Sequence, residues 1–245
     1  MYTREEINYM KTQQELILNE VILFDATREQ VKNYINQLLQ LNPWNIDKDV
    51  RVNILHQIES VLTSYQMNLV FSVEQVSSHQ FQHLHFKTPT FKDANRVTSA
   101  YLSYNGNALL YNLSGIIERY LRIICRELDH ATDISKGIYG IRKKVFDLIE
   151  LPTTSDEWGA LNLLTAIRNP IHNNGVYVNP SAGKADENFY YRNQAFVFVN
   201  HTPHKFATCE NLNHIILDLV SLIKAINNHP IIRDKKLFID QCLYL

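Results

Sequence analysis

Leu109, Leu113, Ile116, Ile117, Tyr120, Leu121, Ile124 and Leu128 recur at the three- and four-residue intervals that put side chains on one face of an α-helix. On a strand the same residues would scatter over both faces. Residues 107–128 therefore predict a helix of about six turns. Its apolar face has to be covered by other elements, and helices are the natural cover. That single feature commits the chain to a helical bundle, and the rest of the sequence has to supply the partners.

Several segments qualify. Thr3 and Glu6 have capping-box spacing ahead of Ile7, Met10, Ile17, Val21 and Phe24. Thr27 and Gln30 repeat the signal before Val31, Tyr34, Ile35, Leu38 and Leu39, which predicts a second helix that stops before Asn42-Pro43. A third runs from about Asp47 through Val50, Ile54, Ile58, Val61 and Leu62. A shorter one follows the long central helix through Ile141, Val145 and Leu148. Ser155 reads as an N-cap for a helix carrying Trp158, Leu161, Leu164, Ile167 and Ile171, with Gly175 placed to terminate it. From about Thr208, Leu212, Ile215, Ile216, Leu219, Ile223 and Ile226 form the last strong stripe, and residues 234–245 suggest a short final helix. Two stretches break the pattern. Over 67–92, Val70, Phe71 and Val73 are consistent with a short strand inside a long connection. Over 176–199 the period switches to two, so 176–178, 189–191 and 196–199 read as strands of a small antiparallel hairpin or meander.

Composition agrees. Seven glycines and seven prolines among 245 residues fall well under the roughly 12% of average proteins. That disfavours an all-β sandwich and a glycine-rich nucleotide-binding fold. The predicted class is all-α: a bundle over 93–245 with an N-terminal helical segment, 1–92, packed on it as one unit. Leu113, Ile116, Tyr120, Ile124, Leu164, Ile167 and Leu219 are the predicted core. A net charge of −1 provides no global field for DNA or anionic membranes. Cys125, Cys209 and Cys242 are too scattered for a disulfide framework or a zinc site and suit a reducing compartment. With neither an apolar leader nor about 18 uninterrupted apolar residues, the expectation is a soluble, cytoplasmic protein with no membrane association.

Three features bear on chemistry. His79, His83 and His85 have ligand-like spacing but no cysteine among them, so the expectation is a polar surface loop and no metal. Arg119, Arg122 and Arg126 form a stripe, followed one helix later by Arg142, Lys143 and Lys144. Aligned guanidiniums clamp phosphates, yet Glu118, Glu127 and Asp129 are interleaved, as on an ordinary solvated face. The sharpest feature is Ala166-Ile167-Arg168-Asn169-Pro170-Ile171-His172-Asn173-Asn174-Gly175. Arg168 and His172 are four apart near a helix end, and Pro170 between them loosens or kinks the turn. A fixed cation beside an imidazole suits phosphate chemistry: arginine stabilises charge growing on phosphorus while histidine moves protons. The plainer alternative is a helix terminus, where cations complement the dipole and Asn-Asn-Gly ends the helix. The aromatic residues Phe189, Tyr190, Tyr191 and Phe196 are expected to pair across strands and pack on the bundle rather than to stack nucleobases.

The arginine followed by asparagine, the histidine just beyond and the closing glycine resemble the signature of the HEPN superfamily. The resemblance spans residues 93–228. It implies a four- or five-helix bundle whose motif ends a helix packed on a long preceding one, here 107–129, with 208–228 as the closing helix. Some branches of the family carry a β-hairpin after the motif. The family pattern places four to six residues between arginine and histidine, and here Asn169, Pro170 and Ile171 make three. Such proteins are commonly metal-independent endoribonucleases, often toxins, abortive-infection effectors or CRISPR-associated nucleases, and many relatives are non-catalytic. The resemblance therefore implies two alternatives, an RNase without cofactor or a helical RNA- or protein-interaction module. In the first, His172 is the general base or acid, Arg168 stabilises the phosphorane and Asn169 orients substrate or His172. Asn173 then lies beside the cleft, and Arg119, Arg122 and Arg126 near its rim. The resemblance also implies a homodimer with both motifs in one groove, and it admits an inhibitory protein partner.

Overall fold

Thr3 accepts a hydrogen bond from the Glu6 amide while the Glu6 carboxylate receives the Thr3 N–H, so the predicted capping box starts α1 (Arg4–Leu41). The computed structural model describes residues 3–45, 47–88, 90–133, 135, 137–173, 175–179 and 186–239, with His172 and Asn173 described by their backbone alone. It is mostly helical, with one two-stranded antiparallel sheet.

Helix α1 runs uninterrupted for 38 residues, where the sequence suggests two helices. Thr27 is no cap. Its hydroxyl donates back to the Leu23 carbonyl and pairs with Asn213, an ordinary mid-helix arrangement. The helix stops at the predicted place, with Asn42 extended ahead of Pro43. Asp49 caps α2 (Val50–Phe71), which continues as a π-helical turn, Ser72–Val76. Ser72 and Ser77 donate their hydroxyls to the Asn68 and Ser72 carbonyls at 2.9 and 2.7 Å, satisfying acceptors around the widened turn. Ser78 then caps α3 (His79–Phe86). Residues 70–73 are thus helical rather than a strand, and the histidine-rich stretch is a helix rather than a loop.

Helix α4 (Phe91–Leu128) is the long central element, followed by α5 (Ile138–Leu148) and α6 (Asp156–Arg168), the latter capped by Ser155 as predicted. Strands β1 (Asp186–Tyr191) and β2 (Gln194–Val199) form the hairpin, and Thr208 caps α7 (Cys209–Asn228). Residues 176–178 are not a strand, although Tyr177 exchanges backbone hydrogen bonds with His201 and Thr202 at 2.8 and 3.0 Å. Helix α8 (Pro230–Arg233) is short, and 234–239 is not helical. Instead, the Val50 amide donates to the Phe238 carbonyl at 2.9 Å. Residues 240–245, including Cys242 and the rest of the predicted tail helix, lie outside the described residues.

Helix α1 packs on α2, α2 on α4, α4 on α5 and α6, α6 on α7, and α7 returns to α1. One continuous buried cluster joins residues of 1–92, such as Phe24 and Leu55, to Leu121, Leu161 and Ile215 of the bundle. Leu113, Tyr120, Ile124, Leu164, Ile167 and Leu219 are buried as predicted. Ile116 is only partly buried, and its neighbour Ile117 takes the inward position. An ion pair, Asp49 with Arg51, is wholly buried at 2.6 Å, with the guanidinium between Trp44 and Phe238 and donating to the Ile232 carbonyl. It fastens the start of α2 to α8 and the segment beyond it.

Two contacts dock the hairpin. Arg192 and Asn193, with φ of 48° and 60°, make a two-residue turn of the type that matches strand twist. Asp218 of α7 receives the Tyr191 hydroxyl and two N–H groups of Arg192, at 2.9 and 2.8 Å. Gly159 of α6 provides the other contact: a Cβ there would lie 3.0 Å from the Tyr191 ring and 3.1 Å from the Tyr190 carbonyl. Tyr191, Phe196 and Phe198 are buried against the bundle and Phe189 is partly so, as expected for a packing face. Tyr190, at 75% exposed, points outward.

Candidate functional site

Helix α6 loses its α geometry where Pro170 removes an N–H. The Asn169 amide makes the last bond, to the Thr165 carbonyl, and Asn169–Asn173 continues as a 3₁₀ helix. Gly175, at φ 84°, donates to the Pro170 carbonyl at 2.8 Å and ends the turn. The loosened turn expected from Pro170 is therefore present. The path from Arg168 to His172 runs through a 3₁₀ segment, in which positions three apart, rather than four, fall in line. The side chains of His172 and Asn173 lie outside the described residues, as does Asn174.

Arg168 is half-buried, with its guanidinium carbon 5.6 Å from the centre of the Tyr111 ring of α4. Its Nε is buried without a hydrogen-bond partner, and among the described residues no carboxylate pairs with it. Close by is Arg142 of α5, only 8% exposed. Arg142 donates from Nη1 to the Leu161 carbonyl at 3.1 Å and from Nη2 to the Thr165 hydroxyl, and its Nε also lacks a partner. Burial pushes the Arg142 pKa down to about 10, Glu118 opposes that shift, and repulsion from Arg168 adds to it. The guanidinium stays charged at neutral pH.

Arg142 was legible only as the first member of a basic run. The structure splits that run. Lys143 is exposed, Lys144 pairs with Asp129 at 3.1 Å, and Arg142 turns inward. The signal lies in its position: with Ile138, Ile141, Val145 and Phe146 it occupies the apolar stripe of α5.

Between α5, α6 and the hairpin is a cavity of about 560 Å³. Arg142, Asn162, Thr165 and Asn169 line one side, Tyr139 and Trp158 another, and Tyr177, Glu187, Asn188 and Phe189 the hairpin side. The Tyr139 and Trp158 rings meet edge to face with centres 5.8 Å apart. Tyr177 donates its hydroxyl to Glu187; burial and that carboxylate hold the phenol protonated well above its ordinary range. Asn169, named from the motif, thus borders the cavity. Glu187, Asn162 and Tyr139 carried no motif and are brought together only by the fold.

The arginine stripe has intramolecular roles. Arg119 donates to Gln57 of α2. Arg122 donates twice to Glu118, at 3.2 and 2.7 Å, and Arg126 lies 3.9 Å from the Glu127 carboxylate. On α3, His79 and His83 stack with ring centres 6.1 Å apart, and among the described residues no three His, Cys, Asp or Glu side chains converge as a metal site. Burial, together with Glu20, pushes the Cys209 thiol up to about 12, and burial raises Cys125, so neither is an activated nucleophile. Among the described residues no helix is long and apolar enough to cross a membrane. Comparison with protein-family models, with curated proteins and with solved structures finds no match for this chain.

Proposed function

We propose that the end of α6 is a phosphate-directed site and that the protein is an HEPN-like endoribonuclease. One observation carries the reading: the buried Arg142 donates to Thr165, about one turn before Arg168 on α6, and among the described residues no carboxylate hydrogen-bonds either arginine. Two cations near one helix end without a bonded carboxylate are a preformed complement for charge that grows on phosphorus. In the reaction the ribose 2′-oxygen attacks the adjacent phosphorus and the bond from phosphorus to the 5′-oxygen breaks. A cyclic 2′,3′-phosphate and a free 5′-hydroxyl result. The 2′-hydroxyl gives its proton to a base, and an acid supplies one to the departing 5′-oxygen. His172 takes that proton traffic, Arg168 the developing charge, and Asn169 the orientation of substrate or of His172. One motif histidine per chain, His172, makes a homodimer part of the reading, because a two-fold axis brings a second copy.

A second reading, a non-catalytic helical module binding RNA or protein, draws support from the short Arg168-to-His172 interval and the 3₁₀ turn within it. One experiment separates them. Purified protein is incubated with mixed-sequence RNA in EDTA beside His172→Ala and Arg168→Ala. The enzyme reading requires cleavage to cyclic 2′,3′-phosphate ends by the parent protein and near-complete loss in both variants. Equal cleavage by all three, or none by the parent, overturns it; RNA retained on a filter without cleavage supports the module.

A further inference from the structure

Helix α5 contributes a buried cation to a cavity whose other walls are aromatic and amide-rich, a combination that phosphate chemistry alone does not call for. Arg142 has five N–H donors. Among the described residues two are bonded, to Leu161 and Thr165, and Nε is unpartnered. A guanidinium this deeply buried, with donors unspent and no bonded carboxylate, favours an anion as its neighbour. The volume of about 560 Å³ lies within the range of small-molecule sites, about 300–1,000 Å³, and far exceeds what a bare phosphate needs. Tyr139, Trp158 and Phe189 offer ring faces and edges to a planar group, while Asn162, Asn188 and Glu187 offer donors and acceptors to its polar edge.

We propose that this cavity holds one nucleotide unit, its base against Tyr139, Trp158 and Phe189 and its phosphate toward Arg142. The proposal rests on the phosphate-directed reading of the α6 end and specifies what lies beside that end. Asn169 borders the cavity and directly follows Arg168, so a chain whose phosphate reaches Arg168 has a neighbouring nucleotide at the cavity mouth. A purely apolar ligand would leave Arg142 unanswered, and a small inorganic anion would leave the aromatic wall unused.

The test is calorimetric titration of the full chain with the four nucleoside monophosphates, with inorganic phosphate, with nucleosides and with a short non-cleavable 2′-O-methyl oligonucleotide. Tyr139, 62% exposed, can be truncated without loss of core. Stacking on an aromatic is worth enough that Tyr139→Ala should weaken nucleotide binding about tenfold. Glu187→Gln, which keeps a partner for Tyr177, should alter the preference among bases. Tyr190→Ala, on the outer face of the hairpin, should change nothing. Binding of one monophosphate per chain, tighter than both phosphate and nucleoside and weakened by Tyr139→Ala, supports the proposal. Tighter binding of the oligonucleotide assigns the site to RNA, and preference for the monophosphate assigns it to a free nucleotide. Phosphate binding as tightly as any nucleotide, no binding, or indifference to Tyr139→Ala overturns it. RNA cleavage assayed on the same variants keeps the two readings apart. Nucleotide binding without cleavage sinks the nuclease reading alone, and cleavage with a pattern untouched by Tyr139→Ala and Glu187→Gln sinks this proposal alone.

Discussion

Arg168 lies near enough to Arg142 to disfavour its charge, although each belongs to a different helix, and among the described residues no carboxylate hydrogen-bonds either. Burial is the largest cost to the Arg142 charge, Glu118 offsets part of it, and the second cation adds to it.

The stability of Arg168 variants follows from that relationship. Were Arg168 only a helix-terminal cation, its removal would cost about 0.3–1 kcal/mol. Removing it relieves Arg142 of that repulsion instead and, among the described residues, forfeits the contact to Tyr111. Arg168→Met is therefore expected to unfold in urea at the parental midpoint or above it while losing activity on RNA. A loss of more than about 1 kcal/mol would return Arg168 to a structural role.

Two helical glycines should respond to alanine in opposite directions. Gly115 of α4 has no atom within 4 Å of an added Cβ, so Gly115→Ala should gain about 0.5–1 kcal/mol through helix propensity. Gly159 has the Tyr191 ring at 3.0 Å and the Tyr190 carbonyl at 3.1 Å. The Tyr191 and Arg192 side chains are held by Asp218, so the hairpin cannot retreat freely, and Gly159→Ala should lose about 1–2 kcal/mol net and loosen it. Thermal midpoints of the pair provide the comparison, and a gain for Gly159→Ala would mean that the hairpin is not seated on α6.

The segment after β2 supplies a pH dependence. His204 packs against Phe198 at 4.8 Å, accepts the Phe206 amide on Nδ1 at 3.2 Å and hydrogen-bonds the backbone of Ile167, one residue before Arg168. Burial lowers its pKa, and the Ile167 bond opposes that only in part. The folded chain thus favours neutral imidazole, and the nitrogen that would take a proton is already an acceptor. With the folded pKa below the ordinary value of about 6.5, the unfolded chain binds the proton first as pH falls. This contribution is full above about pH 6.5 and declines below it. His204→Phe keeps the ring and abolishes titration, so its stability should slope less steeply with acid than the parent's. Parallel slopes would exclude His204 as the source.

Cap and stripe make the helices legible where they coincide, as at Thr3, Ser155 and Thr208. Thr27 carries the same local letters as Thr3, but only its contact with Asn213, far along the chain, reveals a mid-helix residue. Val70, Phe71 and Val73 fit a strand as well as a helix; the first two end α2, and the π turn that takes up Val73 has serine hydroxyls bonding backwards. The turn at Pro170 and the terminal glycine are local matters and are readable as such. The cavity is not, because residues near 139, 162 and 187 meet only once the hairpin is docked. Charge also misleads: Arg142 reads as surface by type and as core by its place on the α5 stripe, and the stripe prevails.

Dilution of the parent with an inactive variant tests the composite site. A single chain offers one Arg168 and one His172 at the end of α6, whereas transesterification needs a base and an acid together with charge stabilisation. In a two-fold groove each reaction draws on both copies. A dimer of one parent chain and one His172→Ala chain keeps a single motif histidine and so lacks either the base or the acid. Mixing the parent with an excess of His172→Ala, with brief partial unfolding to allow exchange, should therefore depress cleavage well below the share of parent chains present. Light scattering coupled to size exclusion should give twice the chain mass of 28.6 kDa for parent and mixture alike. Cleavage that falls only in proportion to the parent chains, although mixed dimers form, would show that each site is built within one chain. A parent that is strictly monomeric at tens of micromolar would remove the composite groove altogether.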